Sequence, residues 1–374
     1  MTAKGYAADI VAASALRPGS TPLLRPAPAA VAQGEWPAYR LDAAGERSLS
    51  PPDRIKRLGR GQAMAIVAVK RALDGCTASP ARGSSTAVSV GTAWAEEGDE
   101  ITFLENLIKL GEKGAKPAFF VNSVKNALAS QLALTFGYQG ENQTFAHDAL
   151  SFESALWQGA HLVRVGRAAH AVVCGVDALI ELHEMQGHLL GFFATRPAPL
   201  APLAAGPASV GQGTIPGEGA AAFVLTPPGA TAAPLARLVS VRGRGPLQRA
   251  PALAVRDELA FVEQGLREAS VEPDELGLLL VGANGDSALD AVYAEVVQGL
   301  RARAPGLAVG VYRHLTGDFP TASALGFELA VRAVASRTVP SEVRRVAGSP
   351  ANIERVLLYH LASAGYHSTA IVSA

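Results

Sequence analysis

Residues 140–175, GENQTFAHDALSFESALWQGAHLVRVGRAAHAVVCG, constrain the fold more than any other stretch of the chain. Positions 143–146 read as extended chain running into a sharp turn. From there Ala149, Phe152, Ala155, Leu156, Ala160 and Val163 fall at helical spacing. Gly166 closes that helix. The run Ala171-Val172-Val173-Cys174-Gly175 is short and apolar, of the kind buried in a parallel sheet. Strand, helix and buried strand in so short a span predict an α/β fold. A strand running into a helix start is also a favoured place for a nucleophile, because free backbone N–H groups there stabilise negative charge. This turn holds neither a cysteine nor a G-x-S-x-G elbow.

The same alternation continues on both sides. Strands are predicted over 7–15, 85–91, 217–225, 235–242, 278–282, 307–312, 355–361 and 369–372. Helices are predicted over 61–74, 101–113, 124–136, 256–269, 288–303 and 321–335. Residues 48–54 cap a helical region, 117–121 form a turn, and 176–190 are helical or irregular. The Pro- and Ala-rich segment 17–37 reads as a surface loop, and 192–216 as the longest loop, covering or lining something. Strands alternating with helices predict a largely parallel sheet with helices on both faces. The stretch 226–233, TPPGATAA, is the seam between two halves, 1–230 and 231–374. Residues 149–153 and 324–328 share A-L-x-F-E, each opening a helix after a turn, which predicts related halves; chance recurrence of abundant Ala and Leu is the alternative.

Composition excludes several classes. At 374 residues the chain is too long for one simple core. Lys+Arg and Asp+Glu are equal at 33 each, which argues against a nucleic-acid footprint. A hydrophobic content of 49% argues against extensive disorder, and zero formal net charge with little charge overall fits a chain that buries surface against a partner. Cys76 and Cys174 are too few for a disulfide framework or a zinc site, so no cofactor or metal is expected. No signal peptide or membrane-length apolar window is evident, and the expectation is a cytoplasmic protein.

Five motifs in order resemble the β-ketoacyl synthases of the thiolase superfamily over nearly the whole chain. Residues 217–225, GEGAAAFVL, are similar to the ketosynthase GEGA-plus-strand motif, and 117–127, PAFFVNSVKNA, to P-x-x-F-x-x-S-x-x-N. Residues 166–178 resemble the segment G-x-A-D…G-G-x-(D/E). Residues 313–318, RHLTGD, resemble K-S-x-x-G-H, and 365–369, GYHST, sit at the family's last Gly-rich turn. The resemblance implies a thiolase-like α/β fold of two related halves in αβαβα layers.

It also implies a cysteine nucleophile and two histidines, and all three are replaced. Ungapped alignment places Ala149 at the cysteine position. Asn284 stands for the first histidine and Asp318 for the second. A methyl group forms no acyl-enzyme. An aspartate at the last position sets negative charge where an anionic malonyl group would lie. The resemblance therefore implies a non-condensing subunit of the chain-length-factor type, similar to the small subunits of aryl polyene and xanthomonadin-like pathways. Its implied partners are an active ketosynthase, in a heterodimer, and an acyl carrier protein bearing a phosphopantetheine-linked chain. In ketosynthase dimers the segment matching 143–146 pairs across the two-fold. Phe120, Phe136, Tyr138, Gln143 and Phe145 are candidates for tunnel or interface, with ordinary core as the alternative for the first three.

Two rival functions keep the fold. One is an acyltransferase or hydrolase using His147 or Ser151; the other is a homodimeric protein that binds an acyl carrier. Against the first, Asp148 reads as an N-cap and Ser151 as a helix-surface residue. His183, Glu184 and His188 miss the H-E-x-x-H spacing, and 211–217 lacks the strand of a dinucleotide fingerprint. Lys56, Arg57 and Arg60 form a basic cluster, either a solvated face or a contact for an acidic carrier protein.

Overall fold

The computed structural model describes residues 7–18, 22–27, 35–49, 58–76, 79–195, 213–245, 255–348, 352–362 and 365–374. Its first half runs β1 (Ala8–Leu16), β2 (Leu23–Pro26), β3 (Glu35–Ala38), α1 (Ala43–Ser48), α2 (Arg60–Asp74) and β4 (Thr86–Gly91). It continues with α3 (Glu97–Leu110), α4 (Pro117–Ser123), α5 (Ala127–Phe136), β5 (Asn142–Phe145), α6 (Ser151–Arg164), β6 (His170–Asp177), α7 (Glu181–Leu189) and β7 (Gly219–Thr226). The second half runs β8 (Ala236–Arg244), α8 (Val255–Ala269), β9 (Leu278–Val281), α9 (Ser287–Arg303) and β10 (Ala308–Val311). It ends with α10 (Ala322–Ser336), β11 (Arg344–Ala347), β12 (Arg355–Leu361) and β13 (His367–Ser373).

The strand order is β11-β10-β9-β12-β13-β8-β1-β7-β6-β4-β5. Read from β5 and from β10 toward the middle, the two halves match, and β11 adds an antiparallel strand outside β10. β5, β4 and β6 are parallel, then β7 and β1 pair antiparallel. β10, β9 and β12 are likewise parallel, then β13 and β8 antiparallel. The helix after β5 is α6 and the helix after β10 is α10, so the A-L-x-F-E echo falls at the start of equivalent helices. The sheet is mixed, not largely parallel, because each half closes with an antiparallel pair.

Alternating strand residues divide the core into layers. On β6, Ala171 and Val173 point to a central cluster, Val172 and Cys174 to an outer one. On β9, Leu278 and Leu280 join the central cluster, Leu279 and Val281 an outer one. The central cluster holds α6 and α10. The outer clusters take α2 and α5 on one side and α8 and α9 on the other. The result is αβαβα. α10 is buried nearly all round, as a helix packed between the two halves of the sheet must be. Phe152, Phe223 and Phe327 meet in this middle layer with ring centroids 5.0–5.8 Å apart. Gly175 makes the contact possible, since a Cβ there would lie 2.6 Å from the Cβ of Ala324.

Local differences from the sequence reading have local causes. Residues 117–123 form a helix, not a turn, because Pro117 sits at the first helical position, where its missing N–H costs nothing. The β2–β3 hairpin and β11 were not predicted; each is only four residues long, too short to show a period. Of the capping segment 48–54, only its first two residues lie among the described residues, as do only the two ends of loop 192–216.

Candidate functional site

The site positions lie on three turns, beginning with the one after β5. Asp148 adopts the left-handed conformation (φ 47°), which a short polar side chain tolerates. Residues Asp148–Leu150 make one 3-10 turn and α6 starts at Ser151. The buried Ser151 hydroxyl fixes this turn. It accepts from the His147 N–H (2.9 Å) and donates to the Asp148 carbonyl (2.6 Å). Two expectations change accordingly. Ser151 is not a surface residue, and Asp148 is not the N-cap: the cap is Leu150, which bonds through no side chain. Ala149 is buried within the turn. The His147 ring meets Ser154 (Nδ1 to Oγ 3.5 Å) and the edge of Tyr366. Burial raises the Asp148 carboxyl, and the nearby charge of Asp318 raises it further.

Asn284 lies between β9 and α9. Asp290, buried in the first turn of α9, accepts from the N–H groups of Asn284 (3.0 Å) and Gly285 (2.9 Å). The Asn284 side-chain oxygen accepts from the Asp286 N–H (3.0 Å). Asp286 then caps α9 by accepting from Ala288 and Leu289. Burial pushes the Asp290 carboxyl up to about 6, against the pull of its two N–H bonds.

Asp318 follows β10 and precedes α10. Its carboxylate is bound by the buried guanidinium of Arg313 and accepts from the Thr214 hydroxyl (2.9 Å). Burial alone would lower the Arg313 pKa, but Asp318 reverses that and holds it above the usual arginine value. A second Arg313 nitrogen lies 3.1 Å from Nδ1 of His360. His360 is fully buried, and burial, with Arg313 adding to it, holds the ring well below the ordinary histidine pKa, hence neutral. Tyr312 packs beside them with its phenol pushed up to about 12 by burial. The negative charge expected at position 318 is present but does not stand alone. Arg313 neutralises it, so Coulomb repulsion of a malonyl carboxylate is weaker than the sequence suggested.

Two buried carboxylates anchor the surroundings. Asp177, at the end of β6, accepts from the Thr92 hydroxyl and the Ala93 and Trp94 N–H groups with one oxygen. Its other oxygen accepts from the backbone and hydroxyl of Thr321, at the start of α10. Glu218, in the GEGA motif, accepts from Leu41, Leu179 and Arg60. Arg60 is thus an internal partner, also paired with Glu46, and not a free cation of a basic face. Lys56 and Arg57 lie outside the described residues.

The remaining candidates are dispersed. His183 pairs with Glu97 (2.7 Å) and His188 stacks on Trp36. Among the described residues no cluster of three or more metal-ligating side chains occurs. Tyr138 is buried in the outer cluster and stacks on the half-buried Phe136. Phe120 is 56% exposed, against Phe103 of α3. Gln143 and Phe145 lie on β5, an edge strand of the large sheet among the described residues. Sequence reasoning missed the roles of Thr214, Asp290 and His360. The one visible signal was a histidine inside the apolar strand 355–361, since a buried polar group requires a partner.

Comparison with known proteins agrees with the fold. The family model of the β-ketoacyl synthase N-terminal domain matches residues 40–228, half of the chain. No curated protein sequence matches. Among solved structures, a type II PKS acyl-carrier protein in complex with its ketosynthase, bound to the hexaketide (AntDE:AntF), matches at 14% identity and TM-score 0.80, over 99% of this chain and 100% of that one. The ishigamide ketosynthase/chain length factor matches at 16% identity and TM-score 0.77, over 98% of each chain. The ketosynthase ApeO in complex with its chain length factor ApeC, from Xenorhabdus doucetiae, matches at 17% identity and TM-score 0.77, over 98% of this chain and 97% of that one. At these identities the likeness is one of fold. Among the described residues no helix is long and apolar enough to cross a membrane.

Proposed function

The chain belongs to the β-ketoacyl synthase family, and from that premise we propose that it is a non-condensing subunit, of the chain-length-factor kind, which pairs with an active ketosynthase and shapes the acyl tunnel. One observation carries the proposal. The turn between β5 and α6, where the family resemblance expects the cysteine, holds the buried methyl of Ala149. The chain's two cysteines are Cys76, just past the C-terminal end of α2, and Cys174, inside β6 with its thiol pushed up to about 12 by burial. Neither supplies a thiolate to that turn.

The sheet edges support a partner. β11 is one edge, four residues long, irregular in register and bearing Arg344 and Arg345 in sequence, all features that discourage strand addition. β5 is the other edge, with the uncharged sequence Asn142-Gln143-Thr144-Phe145. In this reading β5 pairs with its counterpart on the ketosynthase, with Gln143 and Phe145 at the interface. Phe120 and Phe136 are secondary candidates for it. The fold-level matches to ketosynthase–chain length factor pairs, and to a complex with an acyl carrier protein, support the same kinds of partner. An aryl polyene or related acyl chain, the halves 1–230 and 231–374, and a cytoplasmic location belong to the same proposal.

The test is native mass measurement after co-expression with a candidate partner ketosynthase and incubation with an acyl-carrier thioester. A one-to-one complex acylated only on the ketosynthase is the expected result. A homodimer of this chain that itself gains the acyl group would overturn the reading.

A further inference from the structure

The hydrogen bonds around Asn284 and Asp318 do not end within their own loops. Asp290 holds the backbone of Asn284 and Gly285, and the Asn284 side chain holds the Asp286 N–H. Asp286 Oδ2 then reaches outside the loop to accept from the Gly213 N–H (2.7 Å). The next residue, Thr214, donates to Asp318 (2.9 Å), and Asp318 leads to Arg313 and His360. The backbone adds to the circuit. Asp318 N–H donates to the Ile215 carbonyl (2.7 Å) and Gly217 N–H to the Asp318 carbonyl (3.0 Å). The short segment 213–217 is therefore gripped by the loop of each position at which the family resemblance expects an imidazole.

We infer that Asp286 and Asp318 form one clasp that positions segment 213–217 against the C-terminal half, with Arg313 the positioning residue that holds Asp318 in place. The segment is a strategic one. It leads directly into Glu218, whose carboxylate collects Leu41, Arg60 and Leu179, and Pro216 accepts from the Tyr39 N–H (2.8 Å). The clasp thus connects a carboxylate hub of the first half to two loops of the second. Both Asp318 oxygens are engaged within the chain, one by Arg313 and one by Thr214. Asp318 is accordingly a structural acceptor here, not a base turned toward an acyl group. The naming of positions 284 and 318 as imidazole positions rests on the family reading; the clasp itself rests on the distances.

The experiment is site-resolved amide hydrogen exchange on the full chain. Asp286→Asn keeps the oxygen that caps α9 but replaces the Gly213 acceptor with an NH2 group. Thr214→Val removes only the hydroxyl bond to Asp318. Neither change removes a charge of the Arg313–Asp318 pair, so both variants should fold. In a clasp acting as one unit, D286N speeds exchange at Gly217 as well as at Gly213, each by about tenfold or more, and T214V does the same. The double variant is then no faster than the faster single one, because contacts in one network are not additive. Exchange at Gly213 alone in D286N, with effects that multiply in the double variant, overturns the inference. Neither outcome bears on pairing with a ketosynthase, so the two proposals fail separately.

Discussion

Arg313 and Asp318 are joined as an ion pair inside the second half, the arginine side chain 1% exposed and the aspartate 16%. The pair explains how an aspartate is tolerated where the family resemblance expects a neutral ring. It also predicts an asymmetric response to mutation. Asp318→Asn leaves a buried guanidinium without counter-charge and should destabilise the fold by about 3 kcal/mol. Removing both charges, as in R313M/D318L, should recover most of that loss, since apolar replacement of a whole buried pair is far less costly than halving it. Urea unfolding measures both. A single variant as stable as the wild type would show that water already screens the pair.

Ser151 gives a second expected outcome. Its hydroxyl joins two backbone groups of the turn that carries Ala149, and it is fully buried. Ser151→Ala leaves the His147 N–H and the Asp148 carbonyl without that partner, at a cost of about 1–3 kcal/mol. Ser151→Thr keeps the hydroxyl and should cost less. If S151A unfolds at the wild-type urea concentration, the turn is held by the backbone of α6 alone.

The layers of this fold were legible because they are written in periodicity. The apolar faces of α6 and α10, and the alternation on β6 and β9, come from residues whose burial matches their pattern. The Ala149 turn was legible as a turn, and the sequence itself places no cysteine in it. Its internal geometry could not. Neither Asp148 nor Ser151 takes the role its residue type suggests, because a left-handed Asp148 brings its own carbonyl within reach of the Ser151 hydroxyl. The direction of the strands was misread for a similar reason. Pairing partners far apart in sequence, such as β1 and β7, leave no local trace. The setting of Asp318 was equally hidden, since Thr214 and His360 are distant in sequence and only folding brings them to it.

Ala149 yields a third prediction, which tests the position itself. A thiol placed there lies just before the N-terminus of α6, where helix N–H groups favour a thiolate. In A149C the new cysteine should take up an acetyl group from a small acetyl thioester, seen as a mass increase on the peptide containing residue 149. Condensation with a malonyl thioester should still be absent, because positions 284 and 318 supply no imidazole. Acetylation of the wild-type chain at any residue would mean that another nucleophile operates. No acetylation of A149C would mean that the turn is closed to acyl groups.

Glu96 gives a prediction in pH. It is buried at the junction of α2 and α3, accepting from the N–H of Gln62, with Ala95 before it in the left-handed conformation. Burial, with Asp99 adding to it, pushes its carboxyl up to about 8. A raised folded-state pKa means that the folded chain holds this proton more tightly than the unfolded one. The stability it contributes is complete below the unfolded carboxylate range and is lost as pH rises through about 8. Asp290, raised to about 6, acts with the same sign but is spent by pH 7, so it does not contribute over the interval from pH 7 to 9. Over that interval the wild-type melting temperature should fall by roughly a few degrees. Glu96→Gln keeps an acceptor for Gln62 and carries no titrating proton. Its melting temperature should vary less with pH and overtake the wild type at the alkaline end. Parallel curves for the two proteins would place the titrating group elsewhere.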